Sequence, residues 1–180
     1  MLKVGDTAPP IDAVASNGKR FVLEEQAESL CVVLYFFPKA FTPGCTAETK
    51  EFGKHYAELI LAGASVVGVS TDDRDTQCRF ATSLAAPFPM LGDHDRSICR
   101  AYKVLWPLIG VAHRITYVLS PVTISPTHPQ AAPNPAHAGR APGSPPTRFT
   151  VEAVFRHELD IGAHRNDVLR FVDSKLRSRR

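Results

Sequence analysis

Leu30-Cys-Val-Val-Leu-Tyr-Phe-Phe37, followed by Pro38-Lys-Ala-Phe-Thr-Pro-Gly-Cys45, is the stretch that decides how this chain folds. Its first eight residues are apolar throughout and rich in β-branched and aromatic types. A run of that length without alternation reads as a strand buried on both faces. The next eight residues carry two prolines and a glycine, which read as a loop. Beyond Cys45, Phe52, Tyr56, Leu59 and Ile60 recur at helical spacing, which predicts one helix closed by Gly63. The order is therefore strand, loop, helix, with a cysteine where the helix begins.

The same alternation continues outward. Ala64–Ser70 predicts a second buried strand. Asp72 and Asp73 stand where a helix N-terminus favours acidic residues, and that helix runs to about Leu84 with Phe80, Ala81 and Leu84 inward. A short extended piece lies between Pro87 and Pro89, then a helix from about Asp95 to Tyr102, strands over Ile115–Leu119 and Phe149–Phe155, and a last helix with Val168, Leu169, Val172 and Leu176 on one face. Alternating strands and helices imply an α/β sheet covered on both faces. The last two strands form an antiparallel hairpin, and a mixed central sheet of this kind is what a thioredoxin-like fold needs.

Between those two strands, residues 120–147 hold eight of the fifteen prolines and no acidic residue. With no periodicity that could bury a face, the stretch reads as a disordered or extended insertion at a hairpin tip, where added length costs little. A proline-rich ligand for a partner domain is the functional alternative. Residues 1–180 otherwise read as a single domain, of a size sufficient for one core.

Composition narrows the function. Hydrophobic residues make up 44% and charged residues 22%, with a net charge of +3 and both signs mixed. That balance does not point to nucleic acid. The clearest basic cluster, Lys175, Arg177, Arg179 and Arg180, reads as a solvated helix end. The N-terminus lacks the apolar stretch of a signal peptide, and the longest apolar run has eight residues where a membrane span needs about twenty, so a cytoplasmic protein without a membrane partner is expected. Of the four cysteines, Cys31, Cys45, Cys78 and Cys99, no two are spaced CxxC and none sits in a zinc-ligand pattern, so no metal is expected. Cys31 lies in a buried strand and Cys99 beside Ile98, both positions for packing.

Cys45 differs in its position. Backbone N–H groups at a helix start, together with the helix dipole, favour a thiolate, which is the nucleophilic form. A buried, inert thiol is the bland alternative. Thr42, three residues earlier, can be brought toward the sulfur by a turn, while Pro38 and Pro43 stiffen the loop and shield it.

Pro38, Thr42 and Cys45 match the PxxxTxxC signature of peroxiredoxins, and FFPKAFTPGCTAE resembles the bacterioferritin-comigratory branch of that family. The similarity continues through Val66–Asp73, Phe88–Asp93, Ala101–Val104 and the Arg114-x-Thr116 pair. The resemblance implies a thiol-dependent peroxidase that reduces hydrogen peroxide and organic hydroperoxides through a cysteine sulfenic acid, without a cofactor. It implies that Cys45 attacks the peroxide and that Thr42 hydrogen-bonds peroxide and thiolate. Arg114 would stabilise the developing charge, Glu48 would position the arginine, and Pro38 would limit water. It further implies thioredoxin or another thiol as reductant, and a monomer. The position five residues after Cys45, where many members of the branch carry a second cysteine, is Lys50. Cys78, on the helix where other members place it, is the candidate resolving cysteine; otherwise an external thiol resolves the sulfenate. Two other readings stand beside this one. A thioredoxin-like disulfide oxidoreductase would want CxxC, yet Thr42 stands where the first cysteine would be. A chaperone-like binding protein on the same scaffold would draw on the proline-rich insertion and the basic tail.

Overall fold

A computed structural model describes residues 1–123, 147–156 and 161–178. Its strands are β1 (Asp12–Val14), β2 (Arg20–Val22), β3 (Cys31–Phe36), β4 (Ala64–Ser70), β5 (Met90–Gly92), β6 (Ile115–Thr123) and β7 (Thr147–Arg156). Its helices are α1 (Pro43–Lys54), α2 (Tyr56–Leu61), α3 (Arg74–Ser83), α4 (Ser97–Ala101) and α5 (Ile161–Arg177). The central sheet runs β5-β4-β3-β6-β7. β3 pairs in parallel with β4 and antiparallel with β6, and β6 with β7 is antiparallel, so the sheet is mixed and the fold thioredoxin-like.

Every residue of β3 is buried, as its unbroken apolar run requires. Successive side chains then supply two separate cores. Val32, Leu34 and Phe36 point to one side, against Tyr102, Tyr117 and the N-terminal arm. Cys31, Val33, Tyr35 and Phe37 point to the other, against Phe52 of α1, Phe80 of α3 and Val168 and Val172 of α5. Tyr35 stacks on Phe52 with ring centroids 4.6 Å apart and reaches Thr49 Oγ1 at 3.2 Å. Gly68 of β4 makes room for it: a Cβ there would meet Tyr35 Oη at 2.6 Å.

Several expectations change. The helix expected from Cys45 to Gly63 begins at Pro43 and is broken at His55 (φ −97°, ψ 7°). Gly53, a poor helix former, stands just before the break. The break resets the helical phase, so Phe52 and Leu59 stay buried while Ile60, expected beside them, is exposed. Asp73 caps α3 by accepting from Thr76 N, but Asp72 turns inward instead. The β6–β7 hairpin takes in Ser120–Thr123 and Thr147, which the sequence assigned to the insertion; residues 124–146 of that insertion lie outside the described residues.

Lys175, read as part of a solvated helix end, is largely buried and donates to Glu152 of β7, while Arg177 pairs with Asp173 at 2.8 Å. Arg179 and Arg180 are outside the described residues. The β1–β2 hairpin was not anticipated, although Asn17-Gly18, with Gly18 at φ +77°, is a turn signal. Among the described residues no helix is long and apolar enough to cross a membrane, and no cluster of metal-ligating side chains occurs.

Candidate active site

The thiol of Cys45 and the guanidinium of Arg114 meet because of strand register. Ile115 pairs with Phe36, so the start of β6 lies beside the end of β3, where the chain leaves the sheet for the Pro38–Thr42 loop and α1. Side chains of β6 alternate: Ile115 and Tyr117 enter the first core, whereas Val118 faces the second. Arg114, in phase with Val118, therefore projects to the side where Cys45 packs. Arg114 Nη2 donates to Cys45 Sγ at 3.5 Å, across 69 positions of sequence. Arg114 Nη1 donates to Glu48 Oε2, one helical turn beyond the cysteine.

All three groups are withdrawn from water: Cys45 is 1% exposed, Glu48 2% and Arg114 6%. Burial works against the charge on Arg114, but the Glu48 carboxylate and the Cys45 sulfur outweigh it and hold the guanidinium pKa above its ordinary value. Among the described residues Arg114 Nε is buried with no hydrogen-bond partner, so the fork keeps a donor in reserve. Burial likewise pushes the nearby Tyr35 phenol well up; its hydrogen bond to Thr49 opposes the rise, and Glu48 and Cys45 add to it.

Thr42 is the N-cap of α1, and the first helical bond is Thr46 N to Thr42 O. Cys45 is thus the third residue of the helix. The unpaired positions of the first turn are Thr42, Pro43, Gly44 and Cys45, and Pro43 has no N–H to offer. The Thr42 side chain does not cap the helix; its hydroxyl donates to Lys39 O at 3.0 Å, leaving its oxygen able to accept. Pro38 is half-buried at the root of the loop.

Two further residues shape this loop. Phe41 takes a left-handed conformation (φ +63°) and meets Phe80 edge-to-face, centroids 5.1 Å apart. Asp72, 3% exposed, accepts from Ala40 N at 2.7 Å and pairs with Lys39 Nζ at 2.7 Å. Sequence reasoning missed Asp72, because an Asp-Asp pair before a helix looks like capping. The available signal was that two acids exceed what one cap uses.

Cys78 stands apart from this group. It is half-buried on α3 and donates to Ser16 O at 3.2 Å. Phe80 and Ala81, not Cys78, share the core that contains Cys45. Cys31 and Cys99 are fully buried, as expected for packing, and burial followed by Asp93 drives the Cys99 thiol far up. The Trp106–Ile109 segment is surface: Leu108 is 96% exposed and Trp106 stacks on His113 with ring centroids 4.1 Å apart.

Peroxiredoxin Bcp of Escherichia coli (strain K12) is 36% identical over 103 residues, which are 57% of this chain and 65% of that protein. Peroxiredoxin Bcp of Xanthomonas campestris pv. campestris is 36% identical over 97 residues, 50% of this chain and 60% of that one. The chain thus spans a little under two thirds of these relatives. Among solved structures, peroxidoxin BcpB from Mycobacterium tuberculosis superposes with a TM-score of 0.74 at 26% identity, covering 100% of this chain and 99% of the other. Xanthomonas campestris peroxiredoxin Q gives 0.70 at 25% identity, covering 92% and 91%. The model of the AhpC/TSA family matches residues 4–124, which include the loop, the cysteine and the arginine, and the chain belongs to that family.

Proposed function

We propose that this chain is a thiol peroxidase that reduces hydrogen peroxide and organic hydroperoxides with Cys45 as the attacking group. The observation that carries this reading is the buried Arg114 guanidinium donating to Cys45 Sγ at 3.5 Å. A cation within hydrogen-bond reach of a cysteine sulfur favours the thiolate and the charge that leaves it. The Cys45 thiolate attacks one peroxide oxygen in line with the O–O bond. That bond breaks, sulfur loses two electrons and becomes the sulfenic acid, and the departing oxygen takes a proton to leave as water or alcohol. Thr42 accepts from the bound hydroperoxide. Arg114, with its spare Nε, and the Gly44 and Cys45 N–H groups face the developing charge. Glu48 holds the guanidinium in place, and Pro38 restricts water.

Resolution of the sulfenate falls to an external thiol, with thioredoxin as the family's usual reductant. One thiol displaces water to give a mixed disulfide, and a second releases Cys45. The Cys78 thiol is engaged with Ser16 O, away from the core that holds Cys45, which weighs against it as the internal partner.

Intact-protein mass after brief exposure to one equivalent of hydrogen peroxide tests the reading, with Cys45→Ser in parallel. Wild type is expected to gain one oxygen and the variant nothing. An unchanged wild type, or a variant that reacts equally, would overturn the assignment, and loss of two hydrogens instead of oxygen gain would restore Cys78 as resolving cysteine.

A further inference from the structure

We infer that Asp72 is a positioning residue for the reaction at Cys45, holding the loop that carries Thr42 and the cysteine while touching neither peroxide nor sulfur. This rests on the peroxidase reading above. Phe36 pairs with Val69, so β3 and β4 end side by side, and a few residues further on Ala40 faces Asp72. The Asp72 carboxylate takes three donors: Ala40 N at 2.7 Å and Ser70 Oγ at 2.8 Å on Oδ2, and Lys39 Nζ at 2.7 Å on Oδ1. Thr42 then donates back to the carbonyl of Lys39, the residue Asp72 grips, which carries the restraint to the helix cap.

The post itself is fixed from behind. Gln77, fully buried on α3, donates through Nε2 to Ser70 Oγ at 2.6 Å and to Leu91 O at 3.2 Å. Those bonds fix the direction of the chain: with both Gln77 N–H groups committed, Ser70 must spend its single proton on Asp72. Gly92 lets β5 pass directly beneath the corner, since a Cβ there would meet the backbone of Asp73 and Arg74 at 2.7 Å. Gln77 Oε1 finds no partner among the described residues, but both of its N–H groups are bound, and linked buried donors of this kind favour one geometry. Phe41, strained at φ +63°, needs such an outside restraint to persist in its conformation.

Displacement of reacting groups by about an ångström can cost roughly a hundredfold in rate. The test compares peroxide oxidation with alkylation by iodoacetamide, which needs the Cys45 thiolate but no aligned oxygen donors. Asp72→Ala is expected to slow oxidation by hydrogen peroxide on the order of a hundredfold while alkylation changes by no more than about threefold. Asp72→Asn, which keeps an acceptor for Ala40 N, should recover most of the peroxide rate. Ser70→Ala, which leaves the carboxylate but frees it, should give an intermediate loss and serves if Asp72→Ala does not fold. All rates are read well below each variant's melting temperature. Oxidation of Asp72→Ala at the wild-type rate, or equal losses in oxidation and alkylation, would overturn the inference while leaving the peroxidase reading intact. A wild type inert to peroxide would instead remove that reading.

Discussion

Cys45 and Arg114 show how one side chain can serve both stability and chemistry, and how to separate the two. Arg114 stands beside a Glu48 carboxylate that is 2% exposed, and removing the cation from such a pair typically costs about 3–5 kcal/mol because a buried charge is left behind. It also donates to the sulfur, and removing one preorganised donor of this kind typically slows a reaction by about 10²–10³-fold. Arg114→Met is therefore expected to lose both. Arg114→Met combined with Glu48→Gln should regain part of the stability in urea unfolding and none of the peroxide rate in stopped-flow oxidation. A double variant that recovered the rate would reduce Arg114 to a structural residue. At this scale Pro38, Thr42 and Cys45 were legible because they lie within eight consecutive residues. Arg114 and Glu48 were assigned only through the family resemblance, since nothing local in a lone Arg before a strand indicates a partner 69 positions away. Asp72 was misread because its partner, Ala40 N, is a backbone group that no sequence pattern displays.

Among the elements, β3 was the most legible and α1–α2 the least. An eight-residue apolar run has one comfortable place, between two covered faces of a sheet, whereas a helical period says nothing about where the helix will break. The break at His55 turned Ile60 outward even though its spacing from Phe52 was right. The contact between β3 and β4 has a narrower tolerance. Tyr35 can stack on Phe52 and reach Thr49 only because Gly68 has no side chain. Gly68→Ala would place a Cβ at 2.6 Å from Tyr35 Oη, 2.7 Å from Cζ and 2.9 Å from Cε1. Overpacking of this kind costs about 1–3 kcal/mol. Tyr35→Phe in the Gly68→Ala background should relieve only a fraction of the loss, because two ring carbons still clash. Full recovery in chemical denaturation would mean that the ring moves aside freely and that the Tyr35–Thr49 contact does not help seat α1.

Across the whole molecule, one sheet divides two aromatic cores, and three tyrosines are buried in them with their hydroxyls committed. Tyr35 reaches Thr49, Tyr102 donates to Pro9 O at 2.7 Å, and Tyr117 donates to Tyr102 O at 3.1 Å while accepting from Leu2 N. Burial pushes Tyr35 and Tyr102 well above the ordinary phenol value and Tyr117 up to about 12. Above about pH 10 the unfolded chain releases these protons and the folded chain keeps them. The unfolded state then binds fewer protons, so stability falls as pH rises. Each phenol contributes a slope of up to about 1.4 kcal/mol per pH unit, and the share of Tyr117 levels off near pH 12, where its folded form ionises too. Urea unfolding midpoints should therefore begin to fall above about pH 9, where the unfolded Cys99 thiol ionises while the buried one keeps its proton, and drop more steeply above about pH 10, with phenolate absorbance from these residues appearing together with loss of structure. Because Tyr102 and Tyr117 sit on one side of the sheet and Tyr35 beneath α1 on the other, the loss should be a single cooperative event. In a Tyr56→Phe background, a first rise in phenolate absorbance well below pH 12 with secondary structure intact would show instead that one core opens to solvent independently of the other.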